Sequence, residues 1–379
     1  LEPIYLDYNA TTPIASEVVL EMLPYLTEHF GNPSSGHAYG VKAKEAVNRG
    51  RQQAADLLGC LPGEIFFTGG GSEADNLALK GIAYANKARG GQIITSQIEH
   101  PAILNTCKCL ENQGFQITYL PVDHTGTVNP EDLKRAVTKN TILITIMHAN
   151  NEVGTIQPLS EIGEIAREHN ICFHTDAAQS VGKIPTRVDE LKVDLLTLAA
   201  HKFYGPKGIG ALYVRSGIEI ESLICGAGQE GGLRAGTENV AGIAAVGKAC
   251  QLAAEEMDRR VAEMTGMGKL FFDLLTDRIT GVALNGHPEN RLPNTWNISF
   301  KDINAAELLA VTPEIAASTG SACHHGSQTL SPVLAAMGIE QDRGMGSVRF
   351  SLGRGTTREH VMQAAELITK RIHRLRAGQ

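Results

Sequence analysis

An α/β fold is predicted, with a mostly parallel central sheet in a large domain and a smaller α+β domain towards the carboxyl terminus. Two observations carry this. Short apolar runs alternate with longer amphipathic stretches from about residue 60 to 215, and after Glu238 a long helical region leads into short strands and helices. The first runs are continuous rather than alternating, the pattern of strands covered on both faces. In order, strands are predicted at Glu64 to Thr68, Gln92 to Ser96, Gln116 to Pro121, Thr141 to Met147, Ile171 to Thr175, Leu195 to Ala199 and Gly210 to Val214. Between them lie amphipathic stretches: Ser72 to Ala88, His100 to Gln113, Pro130 to Thr138 and Ser160 to His169. The second part begins with a helix from Val240 to about Leu275. Strands follow at Val282 to Leu284, Thr295 to Phe300 and Ser347 to Ser351, and helices at Ala305 to Leu309 and Glu359 to Arg376. The expected domains are 14–255, and 1–13 together with 256–379.

Composition narrows the function classes. The 379 residues are 42% hydrophobic and 20% charged, a globular balance with material for one large core and a smaller one. With 34 Lys and Arg against 41 Asp and Glu, the net charge of −7 supplies no global basic field, so no nucleic-acid partner is expected. No stretch reaches the roughly 20 uninterrupted apolar residues of a membrane span. Leu1 to Pro13 carries Glu2 and Asp7 where a signal peptide has a basic run and an apolar core. A soluble, cytoplasmic protein is expected. The 7 cysteines are odd in number and scattered, which reads as thiols in a reducing compartment. Cys107 and Cys109, two apart on a predicted helix, point to different faces, and no metal site is expected. The 40 glycines, above the usual ~7%, ask where the backbone turns tightly or approaches a ligand.

In an open parallel sheet, ligands collect at the carboxyl ends of the strands. The strand ending at Thr68 runs into Gly69-Gly70-Gly71-Ser72-Glu73-Ala74 and a helix, which offers free N–H groups and a positive dipole end to a phosphate. The same residues fit a relaxed dinucleotide spacing, but no acid follows about 20 residues on at a second strand end, and no Gly-Lys-Ser/Thr makes it a Walker loop. An unliganded tight turn is the plain alternative. Two further strand ends bring Asp176 and, after Ala199, His201 and Lys202. A lysine that forms a Schiff base and a carboxylate that keeps a pyridinium nitrogen protonated are what pyridoxal phosphate requires. A helix cap for Asp176 and a surface cation for Lys202 are each common alone, less so beside a phosphate cradle. His100, after the strand at Ile93, has the chemistry to stack on a pyridine ring and move protons. Asn150 and Asn151, after the strand at Ile144, can hydrogen-bond a cofactor oxygen. His148 belongs to no pattern.

Motifs in the same order along nearly the whole chain resemble the NifS-like cysteine desulfurases, within the aspartate-aminotransferase fold of pyridoxal phosphate enzymes (fold type I, class-V aminotransferase group). They are Tyr5-Leu6-Asp7-Tyr8-Asn9-Ala10-Thr11-Thr12-Pro13, Phe30-Gly31-Asn32-Pro33, Gly69 to Asn76, Glu99-His100, Asn150-Asn151-Glu152, His174-Thr175-Asp176-Ala177-Ala178-Gln179, His201-Lys202, Arg234-Ala235-Gly236-Thr237, Gly320-Ser321-Ala322-Cys323 and Arg349-Phe350-Ser351. The resemblance implies that Lys202 carries pyridoxal 5′-phosphate, Asp176 meets its ring nitrogen, Gln179 its phenolate oxygen and His100 its ring face. Ser72, the backbone at Gly71, and His201 would bind phosphate, joined by Thr237 from the second subunit of a homodimer. Asn151 would serve cofactor and substrate, and Arg349 would grip the substrate carboxylate with Asn151 and Asn32. Cys323 would accept sulfur from L-cysteine as a persulfide, leaving L-alanine. Alone among the seven cysteines it lies in a Gly/Ser-rich stretch beside imidazoles, His324 and His325. A sulfur-acceptor protein such as an iron–sulfur scaffold is the implied partner.

The sequence departs from the desulfurase pattern in three places. Ala199 stands where the family usually has a serine that donates to the phosphate, a loss of about 1 kcal/mol if one ordinary hydrogen bond is missing. His324-His325 follows the cysteine where small hydroxyl residues are usual. Cys323-His324, Ser331-Pro332-Val333-Leu334 and Gly353-Arg354-Gly355-Thr356-Thr357-Arg358 resemble the selenocysteine lyases of the same family, which makes release of selenium from L-selenocysteine the alternative activity. A metal or redox protein built on Cys323, His324 and His325 is a weaker reading, because adjacent residues rarely chelate one ion with good geometry.

Overall fold

The computed structural model describes residues 2–88, 90–319 and 329–378. Its strands are β1 (Ile4–Tyr5), β2 (Ile65–Thr68), β3 (Gln92–Ser96), β4 (Gln116–Leu120), β5 (Thr141–Thr145), β6 (Cys172–Asp176), β7 (Leu195–Ala199), β8 (Gly210–Val214), β9 (Val282–Asn285), β10 (Thr295–Phe300), β11 (Ile315–Ala316) and β12 (Ser347–Ser351). Its α-helices are α1 (Ser16–Thr27), α2 (Ala38–Leu58), α3 (Gly71–Ala85), α4 (Pro101–Glu111), α5 (Pro130–Ala136), α6 (Leu159–Glu168), α7 (Val188–Leu191), α8 (Val240–Thr276), α9 (Ala305–Ala310), α10 (Pro332–Ala336), α11 (Gln341–Met345) and α12 (Arg358–Ala377).

The central sheet has 7 strands in the order β2-β8-β7-β6-β5-β3-β4. All run the same way except β8, which pairs antiparallel with both β2 and β7. The sheet is mostly parallel as the sequence predicts; the reversal of β8 was not foreseen, because period and composition do not encode strand direction. Its physical cause is local. The chain turns back after Lys202 through Gly205-Pro206-Lys207-Gly208, with Gly208 at φ +79, and re-enters the sheet beside the strand it has just left. On one face α3 and α4 bury Ala74, Leu77, Ala78, Ile82, Ile103, Cys107 and Leu110. On the other, α2, α6 and the first part of α8 bury Ala54, Leu58, Ile162, Ile165, Ile243, Val246 and Ala249. Cys109, on the same helix as Cys107, is exposed, as the spacing of two requires.

A second cluster is built by β9, β10 and β12, a 3-stranded antiparallel sheet, with α12 and the second part of α8. Phe271 of α8 packs edge-to-face on Phe350 of β12, ring centroids 5.0 Å apart. The 37-residue α8 therefore belongs to both clusters. The amino-terminal segment crosses to this side: β1 pairs parallel with β11, and Asp7 bridges to Ser351. It thereby carries Asn9 and Ala10 to the rim of the central sheet.

Candidate active site

The carboxyl ends of β2, β5, β6 and β7 open on a cavity of about 360 Å³, lined by residues that include Gly71, Ser72, His100, Asn151, Asp176, Gln179, His201, Lys202 and Arg349. Each reaches it for a local reason. β2 ends at Thr68, and Gly70, at φ +149, turns the chain into α3. A Cβ on Gly71 would lie 3.2 Å from the Cβ of Ala199, so the start of this helix approaches the end of β7 as closely as a glycine allows. The first-turn N–H groups and positive dipole end of this 15-residue helix thus face the cavity at Gly71 and Ser72. His100 caps α4, accepting on Nδ1 from the Ala102 N–H at 3.1 Å, with Pro101 at the first helical position. Asp176 is the last residue of β6; its Oδ1 accepts from the Ala178 N–H at 2.8 Å.

The electrostatics follow from burial. Asp176 has its pKa raised by desolvation, opposed by the nearby imidazole of His100 and then by Lys202. His100 has its own lowered, mainly by burial. Lys202 is pushed down to about 8 by desolvation and then by Arg349, with Asp176 and Asp7 opposing. Its Nζ donates to the carbonyls of Asn9 and Ala10, both at 2.8 Å. His201 is pushed down to about 4, by burial first and then by Lys202; its Nδ1 lies 3.1 Å from the Thr11 hydroxyl. Arg349 donates from Nη1 to the Asn151 carbonyl at 3.0 Å and from Nη2 to Asp7 Oδ1 at 2.8 Å, while its buried Nε has no hydrogen-bond partner.

Asn32 and Thr237 stand apart from this group. Both are exposed and neither lines the cavity; Asn32 Oδ1 accepts from the Ser34 N–H at 2.9 Å. Cys323, His324 and His325 lie outside the described residues, but the chain on both sides of them is tied to the site. Ser318 exchanges backbone hydrogen bonds with Arg349. The Ser331 hydroxyl donates to buried Glu152 at 2.6 Å and accepts from the Val333 N–H as the cap of α10. The serine that resembles a lyase feature thus has a structural task.

Four residues that sequence reasoning left without a role complete the arrangement. Asn9 is the hub: its carbonyl accepts from Lys202 and Gln179, its Oδ1 from Lys183 and Asn294, and its Nδ2 donates to the Asn151 carbonyl and the Thr295 hydroxyl. Asp7 holds Arg349, and Lys183 holds Gln179. Asp75, one helical turn after Ser72, lines the cavity with a buried Oδ1 that has no hydrogen-bond partner and lies 3.8 Å from His174 Nε2. The motif Tyr5 to Pro13 contained the signal for Asp7 and Asn9, and the i,i+4 spacing from Gln179 that for Lys183.

The donor set fits a phosphorylated pyridine aldehyde: an amine of lowered basicity for the aldehyde, a buried carboxylate for the ring nitrogen, a helix N-terminus for the phosphate. The Arg349 guanidinium on the cavity wall adds a positive charge suited to a carboxylate. Together, fold and site define an aminotransferase-type scaffold. The chain belongs to the class-V aminotransferase family, whose model matches residues 4–363. Among its relatives are proteins named cysteine desulfurase IscS. That of Dictyoglomus turgidum is 49% identical over 375 residues, 98% of this chain and 95% of its own; that of Methanosarcina thermophila is 50% identical, covering 98% and 93%. Among solved structures, a NifS-like protein superposes with TM-score 0.92 at 38% identity, covering 98% of this chain and 99% of that one. SspA in complex with cysteine gives 0.83 at 42%, covering 92% and 98%. The fold is accordingly fold type I of the pyridoxal phosphate enzymes.

Proposed function

We propose that the protein is a pyridoxal 5′-phosphate-dependent cysteine desulfurase. It converts L-cysteine to L-alanine and passes the sulfur to Cys323. The observation that carries the reading is the convergence of Lys202, Asp176, the α3 N-terminus and Arg349 on one cavity, in a chain whose near-full-length relatives are named cysteine desulfurases.

Lys202 would hold the cofactor, and its lowered pKa leaves a neutral amine available near pH 8. Gly71 and Ser72 would bind the phosphate with His201, which burial keeps as a neutral imidazole. Asp176 would meet the ring nitrogen, Gln179 and Asn151 would bind ring substituents, and His100 would lie at the ring and move protons. When bound, the cofactor supplies an electron sink for the bonds at the substrate Cα. Arg349 orients the substrate carboxylate, with Asp7 and the Asn151 carbonyl fixing the guanidinium. The Cys323 thiolate then attacks the substrate sulfur. The S–S bond forms as the C–S bond breaks, its electron pair goes to carbon, and carbon is protonated to give L-alanine, so no outside oxidant or reductant is needed.

Asn32 and Thr237 belong to the neighbouring subunit's site in a homodimer. Supporting this, Leu20, Leu23 and Leu26 of α1, with Phe30, Tyr39 and Val41 beside Asn32 in sequence, are exposed, a large set of apolar side chains for a monomer surface. The persulfide is passed on to an acceptor protein such as an iron–sulfur scaffold. No helix among the described residues is long and apolar enough to cross a membrane; a cytoplasmic location goes with this reading.

Protein loaded with the cofactor and given L-cysteine is expected to release L-alanine and to show one added sulfur on the Cys323 peptide by mass spectrometry. Cys323→Ser should abolish the added sulfur, and sulfide release from that variant at the wild-type rate would refute the Cys323 role. Turnover of L-selenocysteine with none of L-cysteine would replace the desulfurase by a selenocysteine lyase.

A further inference from the structure

Lys202 also lines a second, small cavity of about 60 Å³ whose walls include Tyr8, Lys183, Arg259, Arg260 and Glu263. Lys183 has no part in the mechanism above. Its Nζ donates to Gln179 Oε1 at 2.7 Å and to Asn9 Oδ1 at 3.1 Å. The other end of the same amide, Gln179 Nε2, donates at 3.0 Å to the Asn9 carbonyl on which Lys202 is parked. A backbone carbonyl only accepts and a lysine amine has protons to give, so the two ends of the amide are distinguished. The oxygen faces Lys183 and the NH2 faces Asn9, in a side chain that lines the cofactor cavity. Burying an amine here is costly where an apolar side chain would fill the same space. That cost shows in the group itself: burial first, then the neighbouring cations Lys202 and Arg349, hold the Lys183 pKa well below the usual lysine range. Charged or neutral, it keeps the two hydrogens that Gln179 and Asn9 require.

We propose that Lys183 is a positioning residue that binds Gln179 Oε1 and Asn9 Oδ1 together, so that Gln179 presents its NH2, and never its oxygen, to the cofactor cavity. The consequence is selectivity at that wall for an acceptor, such as an ionised ring oxygen, because a reversed amide would set oxygen against oxygen at Asn9. The role rests on the pyridoxal phosphate reading above.

The test is a double-variant cycle on the full-length protein, read by equilibrium affinity for pyridoxal 5′-phosphate and by the absorption maximum of the bound cofactor. Lys183→Met is expected to weaken binding about tenfold, about the net worth of one buried hydrogen bond, and to move the absorption towards that of Gln179→Ala. Lys183→Met combined with Gln179→Ala should bind no more weakly than Gln179→Ala alone. Wild-type affinity and spectrum in Lys183→Met, or losses that multiply in the double variant, would overturn the role. Thermal melting reports whether the variant is folded; if Lys183→Met is not, Lys183→Gln, which keeps an amide NH2 to donate, takes its place in the cycle. A wild-type protein that binds no cofactor would overturn the function itself, and this role with it.

Discussion

Lys202 reaches its carbonyl dock from β7, but the dock belongs to Asn9, nearly two hundred positions earlier in the chain. This pairing shows what a single residue's neighbourhood adds to its identity. The amine is pushed down to about 8, and only the neutral form attacks an aldehyde, so cofactor incorporation into the cofactor-free protein should rise with pH through about 8. Growth of the absorbance of bound cofactor across a pH series measures it; a rise centred near the ordinary lysine value of about 10.4 would refute the shift. Ala199, buried against Gly71, offers the converse experiment. Ala199→Ser restores a hydroxyl at the phosphate end and is expected to tighten cofactor binding by about fivefold, roughly 1 kcal/mol, in a fluorescence titration. Lys202, Asp176 and His100 were legible in the sequence because each follows an apolar run that ends at the ligand edge of a parallel sheet. Asn9, Asp7 and Asp75 were not, because partners such as Arg349 for Asp7 and His174 for Asp75 are distant in sequence; Lys183 stands four residues from Gln179, but its second partner, Asn9, is just as remote.

Elements with a single clear periodicity were read nearly to the residue. β3, β7, β8, β10 and β12 have the predicted bounds; β7 and β8 are nearly continuous apolar runs, while β10 (Thr-Trp-Asn-Ile-Ser-Phe) and β12 (Ser-Val-Arg-Phe-Ser) alternate polar and apolar residues. α1 and α2 went unassigned. In α1 Val18 is the buried residue, Leu20, Leu23 and Leu26 are exposed and Pro24 sits inside the helix, so its apolar positions do not mark one core-facing stripe. α2 contacts α8 through small residues, and its burial depends on close approach rather than on large side chains. A Cβ placed on Gly247 of α8 would come within 2.5 Å of the Gly50 Cα of α2. Gly247→Ala must therefore spread the helices, and is expected to destabilise by about 1–3 kcal/mol in denaturant unfolding despite the better helix propensity of alanine. An unchanged midpoint would show that the pair slides apart freely.

Buried ionisable groups give the whole molecule a two-sided pH dependence. His174 and His148 are pushed down to about 3 and about 4 by burial. In the unfolded chain they titrate near 6.5, so their contribution is complete above about pH 6.5 and is lost as pH falls towards those values. Glu99, pushed up to about 8 by burial, acts oppositely. Its contribution is complete below about pH 4.5 and is lost as pH rises through about 8. Thermal melting midpoints should fall on both sides, and Glu99→Gln should flatten the alkaline limb alone; a limb unchanged in that variant would refute the assignment. If the exposed apolar residues around Phe30 form the proposed homodimer contact, Phe30→Asp is expected to give monomers in analytical ultracentrifugation where the wild type gives dimers; a monomeric wild type would refute the homodimer. The separation of Asn9 from its partners on β10 and β12 has one more consequence. Asn9 bonds to Ser351 across a sequence separation of 342, and Arg349 closes on Asp7. Synthesis must therefore pass Ser351 before the pocket is complete, so capture of the proposed cofactor is a late event in the life of each molecule, following synthesis instead of guiding it.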